Sequence, residues 1–366
     1  MADTDTPGTT ELRLGTGSGI VTRRILNTPL RDALPSEIPI IDVADVYSED
    51  VTKRKAVAEQ VRAAAMNTGF FYAKNHGVSE DMIAHTYSTM LDFFHQDLDT
   101  KIKADSANTP DHMYGYRPPR SQILSRDEGV DVREAFFWHY DPPRDGESER
   151  TYPEYMKGRM TSDQFEDKFK EALVPGLRAA LNDYSMHFTK LAHALTRTFA
   201  LSLDLEEDYF HTAIRHPEVS LTANYYPPIA KPPTPSAASE VSIGSHTDFQ
   251  FFTILSQDDV GGLQVITREG QWIRAPPIPG TVVVNNGDYM QRITNDKYIS
   301  SVHRVHNWSG KERMSIPFFW GYALSEKLVV LENCVGEGEE KKYADIGCQE
   351  WVEWRMKDMM ALNAEA

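Results

Sequence analysis

The chain has 366 residues, 40% of them hydrophobic and 25% charged, enough material for one large soluble domain or two small ones. Its 54 acidic against 38 basic residues give a formal charge of −16, which argues against binding nucleic-acid backbones or anionic membranes, both of which select Lys and Arg. No run approaches a membrane span, the start lacks a secretory pattern, and the only cysteines, Cys334 and Cys348, suggest neither a disulfide framework nor an iron–sulfur site, so a reducing cytoplasm is the expected compartment.

Residues 1–37, rich in Thr, Gly, Ser and Asp, read as an N-terminal arm disordered at its tip. A helix-rich portion over 38–215 follows. Ile38-Pro39-Ile40-Ile41-Asp42-Val43 reads as a short buried strand, Ala56 to Met66 as a helix stopped by Asn67-Thr68-Gly69, and Phe70 to Lys74 as a strand ended by Asn75-His76-Gly77. Glu80 to His95 predicts a second helix, Tyr114 to Pro119 an aromatic, Pro-rich loop, and 163–203 long helical patterns with Leu177, Leu181, Leu191, Leu195 and Phe199 on apolar spacings.

From about residue 217 the texture changes to short strands punctuated by Gly, Pro and Asn, at 219–226, 250–256, 262–267, 271–275, 281–285, 301–307 and 313–322. Arg268-Glu269-Gly270-Gln271 reads as a hairpin turn, and Ile229 to Ser239, with its prolines, as a surface loop. Helices followed by many evenly spaced strands predict a β-core over 216–325, a sandwich or barrel braced by helices. The C-terminal extension, 326–366, ends in a helix over about Asp345 to Leu362 carrying Trp351, Val352, Trp354, Met356, Met359 and Met360. That apolar stripe is expected to pack on the core, a dimer contact or lid being the other uses of such a face.

The chemistry concentrates in His246-Thr247-Asp248 and His303. Residues two apart on an extended backbone leave the same face, so one short segment supplies an imidazole and a carboxylate side by side. In Ser301-Val302-His303-Arg304-Val305-His306, His303 shares a face with Val305 and points inward if Val305 is core, whereas His306 points outward. Two imidazoles and one carboxylate suit Fe(II) while leaving coordination positions open. Zinc also accepts such a set, but a zinc hydrolase typically brings a base on a helical HExxH, which this chain lacks. Cupins show similar short His spacings and normally draw more ligands from the first motif.

Arg313 and Ser315 again share a strand face. In the apolar run Arg-Met-Ser-Ile-Pro-Phe-Phe-Trp, an inward Arg313 is an expensive buried charge without an anion, and a carboxylate can take two guanidinium bonds with a third from Ser315. Upstream, Asn224 and Tyr226 also share a face, and their polar tips can complete the contacts to the carboxylate and the metal side.

The ordered set Ile38-Pro39-Ile40-Ile41-Asp42, Thr68-Gly69-Phe70-Phe71-Tyr72, Asn75-His76-Gly77, Phe93-Phe94, Asn224-Tyr225-Tyr226-Pro227, His246-Thr247-Asp248, Gly261-Gly262-Leu263-Gln264-Val265, Asn286-Gly287-Asp288, Ser301-Val302-His303-Arg304-Val305 and Arg313-Met314-Ser315 resembles the isopenicillin N synthase-like family of Fe(II)/2-oxoglutarate-dependent dioxygenases over roughly residues 37–325. The resemblance implies a mainly β fold, a distorted double-stranded β-helix or jelly roll with flanking helices. It places Fe(II) on His246, Asp248 and His303, and the 2-oxoglutarate carboxylate on Arg313 and Ser315, with Tyr226 assisting and Asn224 near the metal. It implies that O₂ and 2-oxoglutarate yield succinate, CO₂ and a ferryl oxidant that hydroxylates, desaturates or rearranges a small substrate. No protein acid or base is required beyond the metal ligands. Such enzymes are associated with secondary metabolism.

Some family members take no 2-oxoglutarate and use Arg-x-Ser for their own substrate, so an oxidase or cyclase of the isopenicillin N synthase type is the alternative. A non-catalytic small-molecule sensor with the same fold is a third reading, disfavoured by the intact set of ligands and Arg313. The aromatic segment after Asp248 suggests Phe252, with Phe319, as lining for an apolar or aromatic substrate, and Tyr114, Tyr116, Arg117 and Gln122 as further pocket candidates.

Overall fold

A computed structural model describes residues 8–16, 19–110, 114–125, 127–139, 155, 159–228 and 241–364, with side chains to 357. The loop expected over 229–239 and the tip of the N-terminal arm lie outside the described residues. From Thr9 that arm is a β-hairpin, β1 (Thr9–Thr16) with β2 (Gly19–Leu26), followed by β3 (Arg31–Asp32) and β4 (Ile40–Asp42). Then come α1 (Val51–Asn67), started by the Asp50 carboxylate accepting from the Thr52 amide, and β5 (Phe70–Lys74). Gly69, at a φ of 72°, makes the turn between them: a Cβ there would sit 2.0 Å from the Ile299 carbonyl oxygen. Next are α2 (Glu80–Phe94), α3 (Leu98–Ile102), β6 (Gly115–Arg117), β7 (Glu134–His139), α4 (Ser162–Phe169) and α5 (Leu177–Ser202).

The β-core holds β8 (Glu218–Tyr226), β9 (Ile243–His246), β10 (Phe252–Gln257), β11 (Leu263–Ile266), β12 (Trp272–Arg274), β13 (Thr281–Asn286), the short α6 (Asp288–Ile293), β14 (His303–Val305) and β15 (Arg313–Gly321). A final helix, α7, spans Cys348–Ala364. Strands order as β4-β5-β13-β10-β15-β8-β7-β6 in a large sheet and β3-β12-β11-β14-β9 in a small one. This is the distorted jelly roll with flanking helices.

Three apolar layers follow from strand alternation. One face of the large sheet, with Phe136, Trp138, Phe252, Ile254, Ile316, Phe318 and Trp320, packs on α1, α2 and α5 through Val61, Phe93, Leu181, Leu191 and Phe199. The opposite face, with Phe70, Tyr72, Tyr226 and Val283, meets Ile243, Leu263, Val265, Ile273 and Val305 of the small sheet. Outside the small sheet, Leu12, Leu14 and Ile25 of the hairpin cover Ile266, Trp272 and Val302. The site lies between the two sheets. No helix among the described residues is long and apolar enough to cross a membrane.

Candidate metal centre and carboxylate clamp

His246 ends β9 and His303 begins β14, the two pairing directly across the small sheet. Their rings lie 4.3 Å apart between centroids. Asp248 sits just beyond β9, in the loop leading to β10. The three side chains each offer a ligand atom, and those atoms all lie within 4.8 Å of one another. His246 Nδ1 is 2.8 Å from the Gly244 carbonyl and His303 Nδ1 is 3.2 Å from the Ser301 carbonyl, so each Nδ1 carries the proton and each Nε2 is left with its lone pair. Those Nε2 atoms stand 3.7 and 3.6 Å from Asp248 Oδ1, too far for a good hydrogen bond and close enough for one cation to bridge. Asp248 Oδ2 is occupied: the Thr253 hydroxyl donates at 2.6 Å and the Asn285 amide at 2.8 Å. Since Thr253 and Asn285 face each other across β10 and β13, the large sheet aims the free oxygen at the imidazoles.

Electrostatics agree with a cation site. Burial, aided by His303, pulls His246 down to about 3 and keeps its imidazole neutral. Burial pushes the Asp248 carboxyl up, but the two imidazoles, Asn285 and Thr253 outweigh it and hold the group below its ordinary value. A buried carboxylate facing the Nε2 atoms of two imidazoles is a donor set for a divalent metal.

The loop 246–251 is clamped from behind. The amides of Gly287, Asp288 and Tyr289 donate to the carbonyls of Phe251, Asp248 and Gln250 at 3.0, 2.8 and 3.1 Å. This approach needs glycine at 287, where a Cβ would lie 2.0 Å from the Gln250 carbonyl oxygen. The Asp288 carboxylate takes the Thr247 hydroxyl at 3.2 Å and pairs with Arg355 of α7 at 3.0 Å, while Trp351 of α7 donates to the Phe249 carbonyl at 2.9 Å. The last helix packs on the core as expected, through Cys348, Trp351 and Val352 together with the buried Arg355, whereas Trp354 of the expected stripe is exposed and Met359 and Met360 lie outside the described side chains.

On the large sheet, Arg313 and Ser315 of β15 pair with Tyr226 and Asn224 of β8, so all four project to the inner side. Arg313 is 1% exposed. Its Nη1 donates to Ser315 Oγ at 3.1 Å and its Nη2 to Gln257 Oε1 at 3.3 Å, its guanidinium lies 4.8 Å from the Tyr226 ring centre, and its Nε has no hydrogen-bond partner. It makes no ion pair among the described residues, a costly state for a buried cation unless an anion joins it.

Of the suggested pocket residues, Phe319 lies on the inner face, opposite Thr253, and is partly exposed. Arg117 pairs with Ala135, which itself pairs with Asn224, so it shares that face. Gln122 is buried and accepts from Arg133 at 2.8 Å. Phe252 and Tyr116 are corrections. Phe252 pairs with Trp320 on the outer face, fully buried against Phe199, and Tyr116 is buried against Phe93 with its hydroxyl on Glu134. Tyr114 likewise packs against Trp138 and Phe165. Sequence reasoning misses Thr253, Asn285, Arg133 and Arg355; only Asn285, next to the Asn286-Gly287-Asp288 motif, carries a local signal.

Residues 217–321 match the model of the 2OG-Fe(II) oxygenase superfamily, and 38–157 match that of the non-haem dioxygenase in morphine synthesis N-terminal region. The chain is 48% identical over 375 residues to the 2-oxoglutarate-Fe(II) type oxidoreductase ppzC of Metarhizium majus, covering 99% of this chain and 98% of that protein. It is 31% identical to the oxidoreductase hxnY of Emericella nidulans, over 87% of this chain and 89% of that one. Among solved structures, a full-length Neurospora crassa protein in complex with alpha-KG superposes with a TM-score of 0.74 at 24% identity, covering 90% of this chain and 99% of that chain. JOX2 in complex with 2OG, Fe and JA gives 0.69 at 26%, covering 89% and 87%. The chain belongs to the 2OG-Fe(II) oxygenase superfamily, as an isopenicillin N synthase-like oxidoreductase that works with non-haem iron and 2-oxoglutarate.

Proposed function

We propose that this enzyme oxidises a small molecule of secondary metabolism in the cytoplasm, with His246, Asp248 and His303 holding Fe(II) and with Arg313, Ser315, Tyr226 and Asn224 holding 2-oxoglutarate. The observation that carries the reading is the pairing of an open cation site on the small sheet with an uncompensated guanidinium on the facing large sheet. A dicarboxylate with a keto group would answer both at once: Arg313 and Ser315 would hold one carboxylate, and His246, Asp248 and His303 would hold the metal that takes the keto-acid end, with Asn224 on the inner face of the facing sheet.

Bound iron, 2-oxoglutarate and O₂ supply the oxidising power for cleaving a C–H bond. The chain's own residues do the rest. His246 and His303, each turned by its Nδ1 contact to a backbone carbonyl, present their Nε2 atoms; Thr253 and Asn285 fix which Asp248 oxygen faces inward. Arg313 orients the co-substrate through two donors. Phe70, edge-on to His303 at 5.5 Å, and Phe319 exclude water from the reacting side. The outcome, hydroxylation, desaturation or rearrangement, depends on where the substrate's C–H bonds lie.

Purified full-length chain supplied with Fe(II) and 2-oxoglutarate should form succinate, at a slow uncoupled rate without substrate and stoichiometrically with product when one is found. His303→Ala should abolish this. Arg313→Ala should raise the KM for 2-oxoglutarate by roughly 100-fold, the loss of a charged, bidentate hydrogen bond. Turnover of a substrate with no 2-oxoglutarate present would instead make the enzyme an oxidase of the isopenicillin N synthase type.

A further inference from the structure

A second guanidinium faces the centre from the opposite flank. Along β7, Glu134, Phe136 and Trp138 point to the helices: Glu134 takes Lys101 Nζ and the Tyr116 hydroxyl, each at 2.6 Å, and the two aromatics lie in the helix-side core. The alternating residues Arg133, Ala135 and Phe137 therefore face inward. Arg133 is 8% exposed and inserts between Asn224 and Gln122, donating from Nη1 to the side-chain Oδ1 of Asn224 and from Nη2 to Gln122 Oε1. Both partners are neutral. The nearest carboxylate in an ion pair with it, Asp131, stands 4.0 Å from Nε, and neither that Nε nor Asp131 Oδ2 has a hydrogen-bond partner.

Asp131 is a weak counter-charge. Its other oxygen accepts the Gly244 amide at 3.0 Å, and burial pushes its carboxyl up to about 7. Beside Arg133 lies Arg117, on the same sheet face, stacked 5.1 Å over Phe137 and donating from Nε to Ser106 Oγ at 3.0 Å; burial weakens its hold on its proton, the Asp105 carboxylate opposes this, and the charge of Arg133 adds to it. Asp131, which pairs with Arg133, accepts the amide of Gly244 two residues before His246, which sets the guanidinium on the metal side of the inner face. Two inward cations in each other's field, inside a chain of net charge −16, carry a desolvation cost that a bound anion would offset. Phe137, Phe319 and Leu124 add apolar side chains near this inner surface.

We propose that Arg133, seconded by Arg117, is a carboxylate-binding subsite for the organic substrate, so that this enzyme takes a small acid whose apolar body lies against Phe137 and Phe319. The proposal rests on the functional reading above and narrows its substrate class. The same carboxylate chemistry could come from the metal-side end of 2-oxoglutarate, since Arg133 also touches Asn224, and the test separates the two sources.

The full-length protein is prepared anaerobically with Fe(II) and 2-oxoglutarate, and the visible absorption band of that complex is followed while small aromatic and alicyclic carboxylic acids, each alongside its methyl ester, are titrated in. At least one acid should perturb the band, with its ester binding tenfold or more weaker. Arg133→Gln should weaken that acid by roughly 30-fold, the loss of a charge-assisted bond, while the affinity for 2-oxoglutarate stays within twofold. Arg133→Lys should fall between, keeping the charge and losing the fork. Acids and esters binding alike, or no acid binding, overturns the subsite; so does an Arg133→Gln protein that loses 2-oxoglutarate, which gives Arg133 to the co-substrate. If the Gln variant does not fold, the acid–ester comparison on the unaltered protein decides. A missing band in the unaltered protein brings down the functional reading itself, and the subsite with it.

Discussion

In Asp248 the two carboxylate oxygens have different tasks: Oδ2 is taken up by Thr253 and Asn285, Oδ1 faces two imidazoles, and neighbouring strands impose the split. Removing the support should weaken the centre without removing a ligand. Asn285→Ala is expected to lower Co(II) or Fe(II) affinity by about 10- to 100-fold, the usual effect of losing an outer hydrogen bond to a metal ligand; competition against a chelator measures it, and an unchanged affinity would show that Thr253 suffices alone. The same scale separates two phenylalanines. Phe252→Ala should cost about 3–5 kcal/mol of stability by leaving a cavity among Phe199 and Phe251, with urea melts as the readout. Phe319→Ala, on the inner face, should melt with far less change. What is legible in the sequence at this scale depends on parity. Arg313 and Ser315 stand out because a spacing of two on one strand fixes a shared face, while His246, Asp248 and His303 stand out by residue type and order, Asp248 having already left its strand. Continuing that parity from Arg313 through Ser315 reaches Phe319, and the pairing of β10 with β15 then puts Phe252 outside. Phe252 reads wrongly from sequence because Asp248 lies off the strand, so counting from it carries no parity. Arg133 stays hidden because Gln122 and Asn224, which hold it, are distant in the chain.

At the scale of elements, the ligand loop depends on helices that supply no ligand. The start of α6 donates three amides to it, and α7 reaches it through Trp351 and Arg355. Arg355 also donates to the Gly15 carbonyl at 3.3 Å, tying the N-terminal hairpin to the same corner. Arg355→Ala leaves the buried Asp288 carboxylate without its cation, and about 3–5 kcal/mol of stability should be lost. If α7 also positions the loop, metal affinity should drop in the folded variant; a variant that is merely less stable and binds metal normally would confine α7 to packing. The strands of the core lie close to where alternation and Gly/Pro punctuation mark them. The hairpin has no such signal. Leu12 and Leu14 alternate with polar residues and Gly19 opens the return strand, but so polar a composition hides a pattern that gains its burial only against Ile266, Trp272 and Val302. β7 escapes for another reason: Glu134 inside an aromatic run looks unlike a strand until Lys101 and Tyr116 are known to receive it.

Across the whole molecule, several histidines are buried as neutral rings. Burial alone holds His76 below its ordinary value, and burial is the first cause for His139 and His306, each pulled to about 3. In the unfolded chain these imidazoles take up protons below a pH of about 6.5. The folded protein refuses them, so the stability present above that pH is lost progressively as pH falls toward the depressed folded values. The melting temperature should decline between pH 7 and pH 5, and His139→Gln should flatten part of the decline. A melting temperature constant over that range would refute the account. A different consequence follows from where the two halves of the site are mounted. The imidazoles belong to the small sheet and the guanidinium clamp to the large one, with Val265, Val283 and Val305 filling the layer between. With 2-oxoglutarate held at both ends as proposed, it would act as a rivet through the sandwich, and loading it should slow the sheets' separation: protease digestion of the protein with metal and 2-oxoglutarate should lag well behind digestion with either alone.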